Sequence, residues 1–374
     1  MLVDAGNIIL YNFIKNVKNI RNVKEDGMGF SRLRQMFSRD IGIDLGTATV
    51  LVFVEGRGIV LSEPAFVAVD TEIDQITKIG KDAQAMLGRS SNKIEIVRPL
   101  KEGVIAKYDV TQKMIQYFYR RACGKSFIHP RMVICIPTGI SEVEERAVID
   151  AGIQAGARKT YLIEEPVAAA LGAGIDIFNP VGNMIVDIGG GTTDIAVMSM
   201  GGVVVSESVK VAGDKFNEAI ARYVRRKYNV AIGEQTAEKV KIQIGAVYEH
   251  KDAMTMDVKG RCLIQGLPKT VTITSKEMLE AMMEPISAIL DSICTAIEKT
   301  PPELMGDILK NGIYLAGGGS MLMGLDKLIE DVTGIKTQRV KDPIKCVAIG
   351  TGRLLSLLDQ FPDGGRIDLS RYRG

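Results

Sequence analysis

The stretch Ile43-Asp44-Leu45-Gly46-Thr47 has a second version in the chain, Val186-Asp187-Ile188-Gly189-Gly190-Gly191-Thr192-Thr193, and this repeat decides the fold. In each copy an aspartate ends an apolar run, and glycine and threonine follow closely. More β-branched residues come next, as expected for a strand, a tight turn and a returning strand. Two similar hairpins in one chain predict two related halves that face one cleft.

The glycine-rich turns are suited to binding phosphate. Glycine lets the backbone adopt positive φ and approach an anion closely, so that successive N–H groups can point at phosphate oxygens. Asp44 and Asp187 would then lie beside the phosphates. Two carboxylates repel a polyphosphate unless a hard cation lies between them, and Mg²⁺ held through water is the natural choice. The alternative for either copy is an ordinary hairpin turn without a ligand.

A third glycine cluster, Gly317-Gly318-Gly319-Ser320, follows the apolar run Ile313–Ala316 and precedes a helix predicted over Leu322–Asp331. An adenine ring could lie against bare backbone at this helix amino terminus, although a plain strand-to-helix turn is the alternative. The chain has neither a Gly-x-x-x-x-Gly-Lys-Ser/Thr motif nor Gly-x-Gly-x-x-Gly after its first strand. P-loop and dinucleotide-binding folds are therefore disfavoured.

Short apolar runs alternate with amphipathic stretches along the rest of the chain, which predicts an α/β fold. Two capping boxes, Ser141 with Glu144 and Thr274 with Glu277, predict helix starts. The predicted helices run to Ala155 and to Lys299, before Pro301 and Pro302, and the predicted strands are Ile41–Val54, Met132–Ile136, Met184–Val197, Val203–Val211 and Ile313–Ala316.

Length and composition narrow the class of protein. The 374 residues correspond to about two domains of roughly 100 to 200 residues each. The 47 Lys and Arg nearly balance the 45 Asp and Glu, so no overall field attracts nucleic acid. Neither a membrane-spanning run nor a secretory signal is expected. The cysteines are scattered and predict reduced cytosolic thiols: Cys123, Cys135, Cys262, Cys294 and Cys346.

These motifs resemble those of the actin, heat-shock-chaperone and sugar-kinase superfamily, and within it most closely the MreB/Mbl family of bacterial actin homologues. The resemblance extends from about Arg39 to about Leu358 and implies an actin-like fold, with two related ribonuclease H-like lobes around a nucleotide cleft. The matching stretches are Ile41–Thr49, Gly58–Pro64, Arg98–Ala106, Leu162–Ala170, Val186–Thr193, Thr300–Leu304, Ile313–Ser320 and Asp342–Gly352.

What the chain lacks separates it from other members of the superfamily. The tail after the last motif is too short for a chaperone's substrate-binding domain, and the stretch from Phe66 to Pro99 is too short for the equivalent subdomain of eukaryotic actin. The chain also has no clear set of sugar-binding residues, such as the aspartate that a sugar kinase usually places as a base towards its sugar. One position departs from the family, because Thr49 stands where asparagine is common.

The expected organisation is 1–40 as an amino-terminal segment, 41–179 as lobe I with a small subdomain at about 67–99, 180–349 as lobe II with a small subdomain at about 216–278, and 350–374 returning to lobe I.

The resemblance implies a role for individual residues in ATP or ADP binding. Glu165 falls on the water-orienting glutamate and Thr192 on the threonine beside the γ-phosphate, while Asp44 and Asp187 would hold hydrated Mg²⁺. A charge pair at a helix start is the alternative for Glu164 and Glu165, and a solvated face is the alternative for Glu238 and Lys241. The other predicted nucleotide contacts are Gly46, Thr47, Ala48, Thr49, Gly189, Gly190, Gly191, Thr193, Gly213, Asp214, Glu238, Lys239, Lys241, Gly317, Gly318, Gly319, Ser320 and Met321.

The chain before Arg39 has apolar residues at helical spacing between basic residues, as in helices that lie on anionic membranes. The family attaches through such a helix or through an apolar loop, which falls at Phe127-Ile128. Packing on the protein body and disorder are the alternatives, and Met28 is an alternative start. The apolar positions are Ile9, Phe13, Ile14, Val17, Phe30, Leu33, Met36 and Phe37.

The function that the resemblance implies is that of a cytoskeletal ATPase with slow, polymerisation-coupled hydrolysis. It would form a homopolymer, with paired protofilaments, on the inner face of the cytoplasmic membrane, and direct cell shape by organising sidewall peptidoglycan synthesis. Its partners would be a transmembrane cytoskeletal adaptor and the cell-wall synthesis machinery, without nucleic acid. Two alternatives stay open: a small-molecule kinase, and a nucleotide-dependent adaptor that barely hydrolyses ATP.

Overall fold

The computed structural model describes residues 39–124, 129–249, 253–361 and 363–371. The basic amphipathic segment before Arg39 and the Phe127-Ile128 loop lie outside these ranges. No helix in the described part of the chain combines the length and apolar character that crossing a bilayer requires. The five cysteines are all unpaired thiols.

The first sheet has six strands, and we call the part of the chain built on it lobe I. Its strands are β1 Ile41–Leu45, β2 Thr49–Val54, β3 Gly58–Pro64, β9 Arg131–Ile136, β10 Lys159–Glu164 and β19 Gly365–Arg366. Across the sheet they follow the order β19-β10-β9-β1-β2-β3. The strands β1, β2 and β3 are antiparallel to one another in turn, whereas β9 and β10 run parallel to β1.

The second sheet, the basis of lobe II, repeats this plan. Its order is β13-β12-β11-β17-β18, with β11 antiparallel to β12 and parallel to β17. Read from β3 to β10, the first sheet has the same sequence of antiparallel and parallel neighbours. The predicted relationship between the two halves is therefore confirmed. The ranges are β11 Asn183–Ile188, β12 Thr193–Ser199, β13 Gly202–Val209, β17 Ile313–Ala316 and β18 Thr337–Arg339.

Smaller sheets extend each lobe. Lobe I carries β4 to β6 in one sheet and β7 with β8 in another, and lobe II carries β14 to β16. The limits 41–179 and 180–349 remain our proposal for the lobes. The ranges are β4 Val67–Asp70, β5 Gln75–Ile79, β6 Ile94–Val97, β7 Leu100–Lys101, β8 Val104–Ile105, β14 Val230–Ala231, β15 Thr255–Cys262 and β16 Pro268–Thr274.

Both helices predicted from capping boxes begin where expected. The Ser141 hydroxyl accepts the Glu144 N–H, and Thr274 accepts the Glu277 N–H in the same way. The second helix ends at Lys299, and a new helix begins at Pro302, where the fixed φ of proline is favourable. The helices are α1 Lys81–Gln84, α2 Tyr108–Cys123, α3 Glu142–Ala155, α4 Glu165–Ala173, α5 Gly213–Tyr228, α6 Glu234–Ile244, α7 Ser275–Lys299, α8 Pro302–Asn311, α9 Leu325–Thr333 and α10 Cys346–Leu354.

Two helices lie between the sheets and connect the lobes. The α10 helix packs against β1, β2 and β9 of the first sheet, α4 packs against β11 and β12 of the second, and the two helices pack on each other. Glycine allows this close crossing: a Cβ on Gly172 would fall 1.7 Å from the Cys346 carbonyl oxygen, and one on Gly350 would fall 1.8 Å from that of Ala168. The two lobes are thus joined through one tightly packed helix pair.

We expect Gly350→Ala to lower the free energy of unfolding by about 3 kcal/mol or more, because the added methyl cannot fit without separating the helices. The matched control is Gly306→Ala, also inside a helix, where a Cβ would meet nothing within 4 Å. That change should stabilise the protein by up to about 1 kcal/mol. Urea unfolding of the nucleotide-free protein measures both, and equal effects would contradict the packing described here.

Candidate functional site

The turns of the two repeated hairpins face each other across a narrow gap. A Cβ on Gly190 would lie 2.6 Å from the Ala48 methyl carbon, and one on Gly191 would lie 2.7 Å from the Thr47 hydroxyl oxygen. The same hydroxyl accepts the Gly103 N–H at 3.3 Å. The structure therefore brings together the two turns that were predicted to bind phosphate, and only glycine fits where they meet.

Asp44 and Asp187 lie at the base of these turns, on β1 and β11. Their exposed fractions are 9% and 4%, and the Cys135 thiol donates to the Asp44 carboxylate at 3.5 Å. Burial raises the pKa of Asp44 to about 7. Burial also raises the pKa of Asp187, with further contributions from the charges of Asp194 and Asp44. The two predicted metal-binding carboxylates are thus buried close enough to repel each other.

Glu165 is the first residue of α4 and points toward the same group of carboxylates. Its pKa is raised by burial first, and then by the charges of Asp194, Asp187 and Asp44. The neighbouring Glu164 forms an ion pair with Arg366 of β19 instead. The charge of Glu164 also raises the pKa of Asp194, so both glutamates lie near the aspartates. Glu165, the residue predicted to orient water, interacts with three of them.

Asp194 completes a group of four carboxylates, and the sequence analysis missed it. It is fully buried, faces Asp187 across the β11–β12 ladder, and accepts the Thr138 N–H at 3.0 Å. Burial raises its pKa, and hydrogen bonds from Thr138, Ser208 and Thr192 oppose that rise. A detectable signal did exist, since an aspartate inside the apolar run from Thr193 to Met198 needs a polar environment or a cation.

The group fits a hydrated divalent cation better than a directly bound one. Burial raises the pKa of all four carboxylates, and the charges of other members raise those of Asp187 and Glu165 further. Positive charge would therefore stabilise the group. Within the described ranges, however, no three His, Cys, Asp or Glu side chains are arranged to hold a metal among themselves. Water and phosphate oxygens would have to supply the remaining ligands, as is usual for Mg²⁺.

The second hairpin turn is supported from behind by α5 and α6. Gly213 and Asp214 donate their N–H groups to the carbonyls of Gly189 and Gly190, at 3.2 and 2.8 Å. The Lys241 ammonium donates to the Gly213 carbonyl at 3.0 Å, and burial lowers its pKa. Glu238 lies one turn before Lys241 on α6, and its charge acts on this ammonium. Of the other predicted contacts, Lys239 is exposed, and the Thr193 hydroxyl donates to the Val211 carbonyl, which leaves its predicted backbone contact untested.

The third glycine cluster lies against the second hairpin. A Cβ on Gly317, whose φ is 77°, would fall 2.4 Å from an Asp187 carboxylate oxygen, so the backbone passes directly beside that residue. The predicted helix over Leu322–Asp331 is wrong at its start. Gly318–Met321 forms a 3₁₀ turn, in which the Ser320 hydroxyl donates to the Gly317 carbonyl at 2.7 Å, and α9 begins only at Leu325. Met321 is 53% exposed beside this turn.

Comparison with known proteins gives consistent matches. A family model described as MreB/Mbl protein matches residues 38–362. The cell shape-determining protein Mbl of Bacillus subtilis (strain 168) is 47% identical over 328 residues, 87% of this chain and 98% of that protein. MreB of Escherichia coli (strain K12) is 46% identical over 334 residues, 88% of this chain and 96% of that protein.

Solved structures agree with these matches. MreB5 of Spiroplasma citri bound to ADP superposes with a TM-score of 0.83 at 38% identity, covering 87% of this chain and 99% of that one. The MamK double helical filament gives a TM-score of 0.73 at 22% identity, covering 85% and 98%, and shows the fold alone. The predicted actin-like fold is confirmed.

We expect Asp44→Asn to stabilise the protein at pH 8 in the absence of metal and nucleotide. The unfolded carboxyl loses its proton near 3.8 but the folded one only near pH 7, so the free energy of unfolding falls as the pH rises through this window. The asparagine variant has no carboxyl to ionise and so avoids this loss. Its free energy of unfolding should exceed that of the wild type by up to about 4 kcal/mol at pH 8, and by little at pH 4.

Urea unfolding at the two pH values, in chelator, measures this difference. The control is Asp150→Asn on an exposed position of α3, which should change stability by less than about 0.5 kcal/mol at either pH. An Asp44→Asn variant that is less stable than the wild type at pH 8 would contradict the conclusion that ionisation of the buried Asp44 carboxyl destabilises the fold.

Proposed function

The chain belongs to the MreB/Mbl protein family, and from that premise we propose that it is a membrane-associated, actin-like cytoskeletal ATPase. The observation that carries the proposal is the pair of facing hairpin turns, each with a buried aspartate at its base. Nucleotide binding is further supported by the solved structures of MreB5 of Spiroplasma citri bound to ADP and to AMPPNP. The relatives' names support a role in determining cell shape.

ATP would occupy the cleft with its phosphates between the turns and its adenosine near Gly317–Ser320. We assign the backbone N–H groups of residues 47–49 and 190–193 to the phosphates. The Gly189 N–H instead donates to the Thr192 carbonyl at 2.9 Å and closes the turn. Asp44 and Asp187 would hold Mg²⁺ through water. When bound, Mg²⁺ would neutralise charge on the phosphates and let the neighbouring carboxylates ionise.

Hydrolysis of ATP mainly requires that a water molecule be aimed at the γ-phosphorus. The backbone of Glu165 is fixed by the start of α4, and its carboxylate lies near those of Asp44, Asp187 and Asp194, which supports a role beside the phosphates. Thr192 is buried at the end of the second turn, near Asp194. We assign Glu165 to orient the water and Thr192 to help hold it beside the phosphate.

Assembly would follow from the movement of the lobes about the α4–α10 pair. The nucleotide contacts both lobes, so ATP and ADP would favour different angles between them, and subunit contacts would respond to that angle. We propose paired protofilaments on the inner face of the cytoplasmic membrane, connected through a transmembrane adaptor to sidewall peptidoglycan synthesis.

We expect Glu165→Ala to slow phosphate release from bound ATP on the order of a hundredfold, because the water loses its orienting partner. The control is Glu164→Gln, since that neighbour pairs with Arg366 and acts on Asp194 alone among the aspartates. It should change the rate by less than tenfold. Single-turnover phosphate release measures both. Equal rates for wild type and Glu165→Ala would contradict the assignment, and transfer to a non-water acceptor would favour a kinase.

We expect a chain that begins at Arg39 to lose binding to anionic vesicles while it keeps hydrolysing ATP. Each basic residue near an anionic surface contributes about 1 kcal/mol, so removal of residues 1–38 should lower the affinity more than tenfold. Sedimentation with phosphatidylglycerol vesicles measures this, with phosphatidylcholine vesicles as the control. If the shortened chain still binds, Phe127→Ser with Ile128→Ser tests the loop, and persistent binding after both changes would contradict membrane attachment.

A further inference from the structure

A partly buried ion-pair group joins the two lobes at the side of the cleft formed by their small sheets, where the side chains of Asp214 and Glu234 are 27% and 45% exposed. The Arg98 guanidinium of lobe I donates to the Asp214 carboxylate of lobe II at 2.6 Å, and also pairs with Glu234. The side chain of Arg98 is only 20% exposed. By contrast, the ion pair of Lys93 and Glu72 on the surface of lobe I has exposed fractions of 64% and 59%.

On the lobe I side, Arg98 is held rigidly. It follows directly after β6, precedes Pro99, and its guanidinium stacks over the Phe66 ring at 4.7 Å from the ring centre. Phe66 is 5% exposed and belongs to the core beneath this small sheet. A planar cation stacked on a buried ring loses little further freedom when it binds two carboxylates.

On the lobe II side, the partners of Arg98 belong to the support of the phosphate turn. Asp214 is the second residue of α5, and its own N–H donates to the Gly190 carbonyl at 2.8 Å. Glu234 is the first residue of α6, the helix that contributes Lys241. A single residue, Asp214, therefore touches the phosphate turn through its backbone and the opposite lobe through its side chain.

A second contact spans the lobes beside the first. The Gln235 side-chain amide of α6 donates to the Gln84 carbonyl at the end of α1, at 3.0 Å. Together the two contacts join the small sheets of the lobes, whereas the α4–α10 pair joins their large sheets. Separation of the lobes to release a nucleotide from between the facing turns would have to break both contacts.

We propose that Arg98 is a positioning residue of the nucleotide site, which acts through Asp214 to keep the second phosphate turn against the first and so sets the rate of nucleotide release. We call Arg98, Asp214 and Glu234 the clasp. This inference rests on the proposed function, because it presumes ATP between the turns. Arg98 touches no reacting atom in this account, and its effect is on release rather than on the hydrolytic step.

Release of a methylanthraniloyl-labelled ATP, chased with unlabelled ATP and Mg²⁺ at a protein concentration below assembly, tests the clasp. Arg98→Ala should release the label on the order of tenfold to a hundredfold faster, as expected from the loss of charge-assisted hydrogen bonds. Arg98→Lys keeps the positive charge but loses the planar guanidinium that can donate to two carboxylates at once. Its rate of label release should lie between those of the wild type and Arg98→Ala. Lys93→Ala is the matched surface control and should stay within twofold of wild type.

The Arg98→Ala, Glu234→Gln double variant distinguishes the clasp from a general loss of stability, because independent structural effects on the release rate would add. It should release the label no faster than Arg98→Ala alone, because both changes break one interaction. Equal release by wild type and Arg98→Ala would overturn the clasp and leave the ATPase proposal intact. If Arg98→Ala does not fold, release from Arg98→Lys at the wild-type rate would overturn it equally. Failure of the wild type to bind the label would overturn the proposed function, and the clasp with it.

Discussion

The mutual repulsion of four buried carboxylates is the constraint on which the rest of this structure depends. Asp44, Asp187, Asp194 and Glu165 come from both halves of the chain and lie beneath two facing turns. Burial raises the pKa of each, and neighbouring charges add to this rise for all but Asp44. A protein gains no stability from such a group by itself. A divalent cation bound with a polyphosphate would remove the penalty, and this would explain why the carboxylates occur together with turns suited to anions.

The two ends of the cleft differ in how they are closed. At one end, Gly172 and Gly350 let α4 and α10 pack backbone to backbone, and this core cannot separate without loss of buried contacts. At the other end, the lobes meet through the polar contacts of Arg98 and Gln235, which water can replace. This asymmetry supports the proposed movement of the lobes about the helix pair.

Much of this arrangement followed from local sequence. The two hairpins, the glycine cluster after β17 and the capping-box helices are encoded by residues a few positions apart, so spacing alone located them. Spacing could not show that Asp194 is buried, or that Arg98 meets Asp214 at a separation of 116 residues. The late start of α9 was missed because Gly318–Met321 forms a 3₁₀ turn, in which Ser320 bonds back to Gly317. The lobe limits and the roles of individual site residues remain predictions.

The most direct measurement of the central claim is a crystal structure with a non-hydrolysable ATP analogue and Mn²⁺ in place of Mg²⁺, with the metal located by its anomalous scattering. The account predicts one metal peak between the Asp44 and Asp187 carboxylates, phosphates against both hairpin turns, and adenosine beside Gly317. A nucleotide bound outside the cleft, or a metal remote from both aspartates, would contradict it.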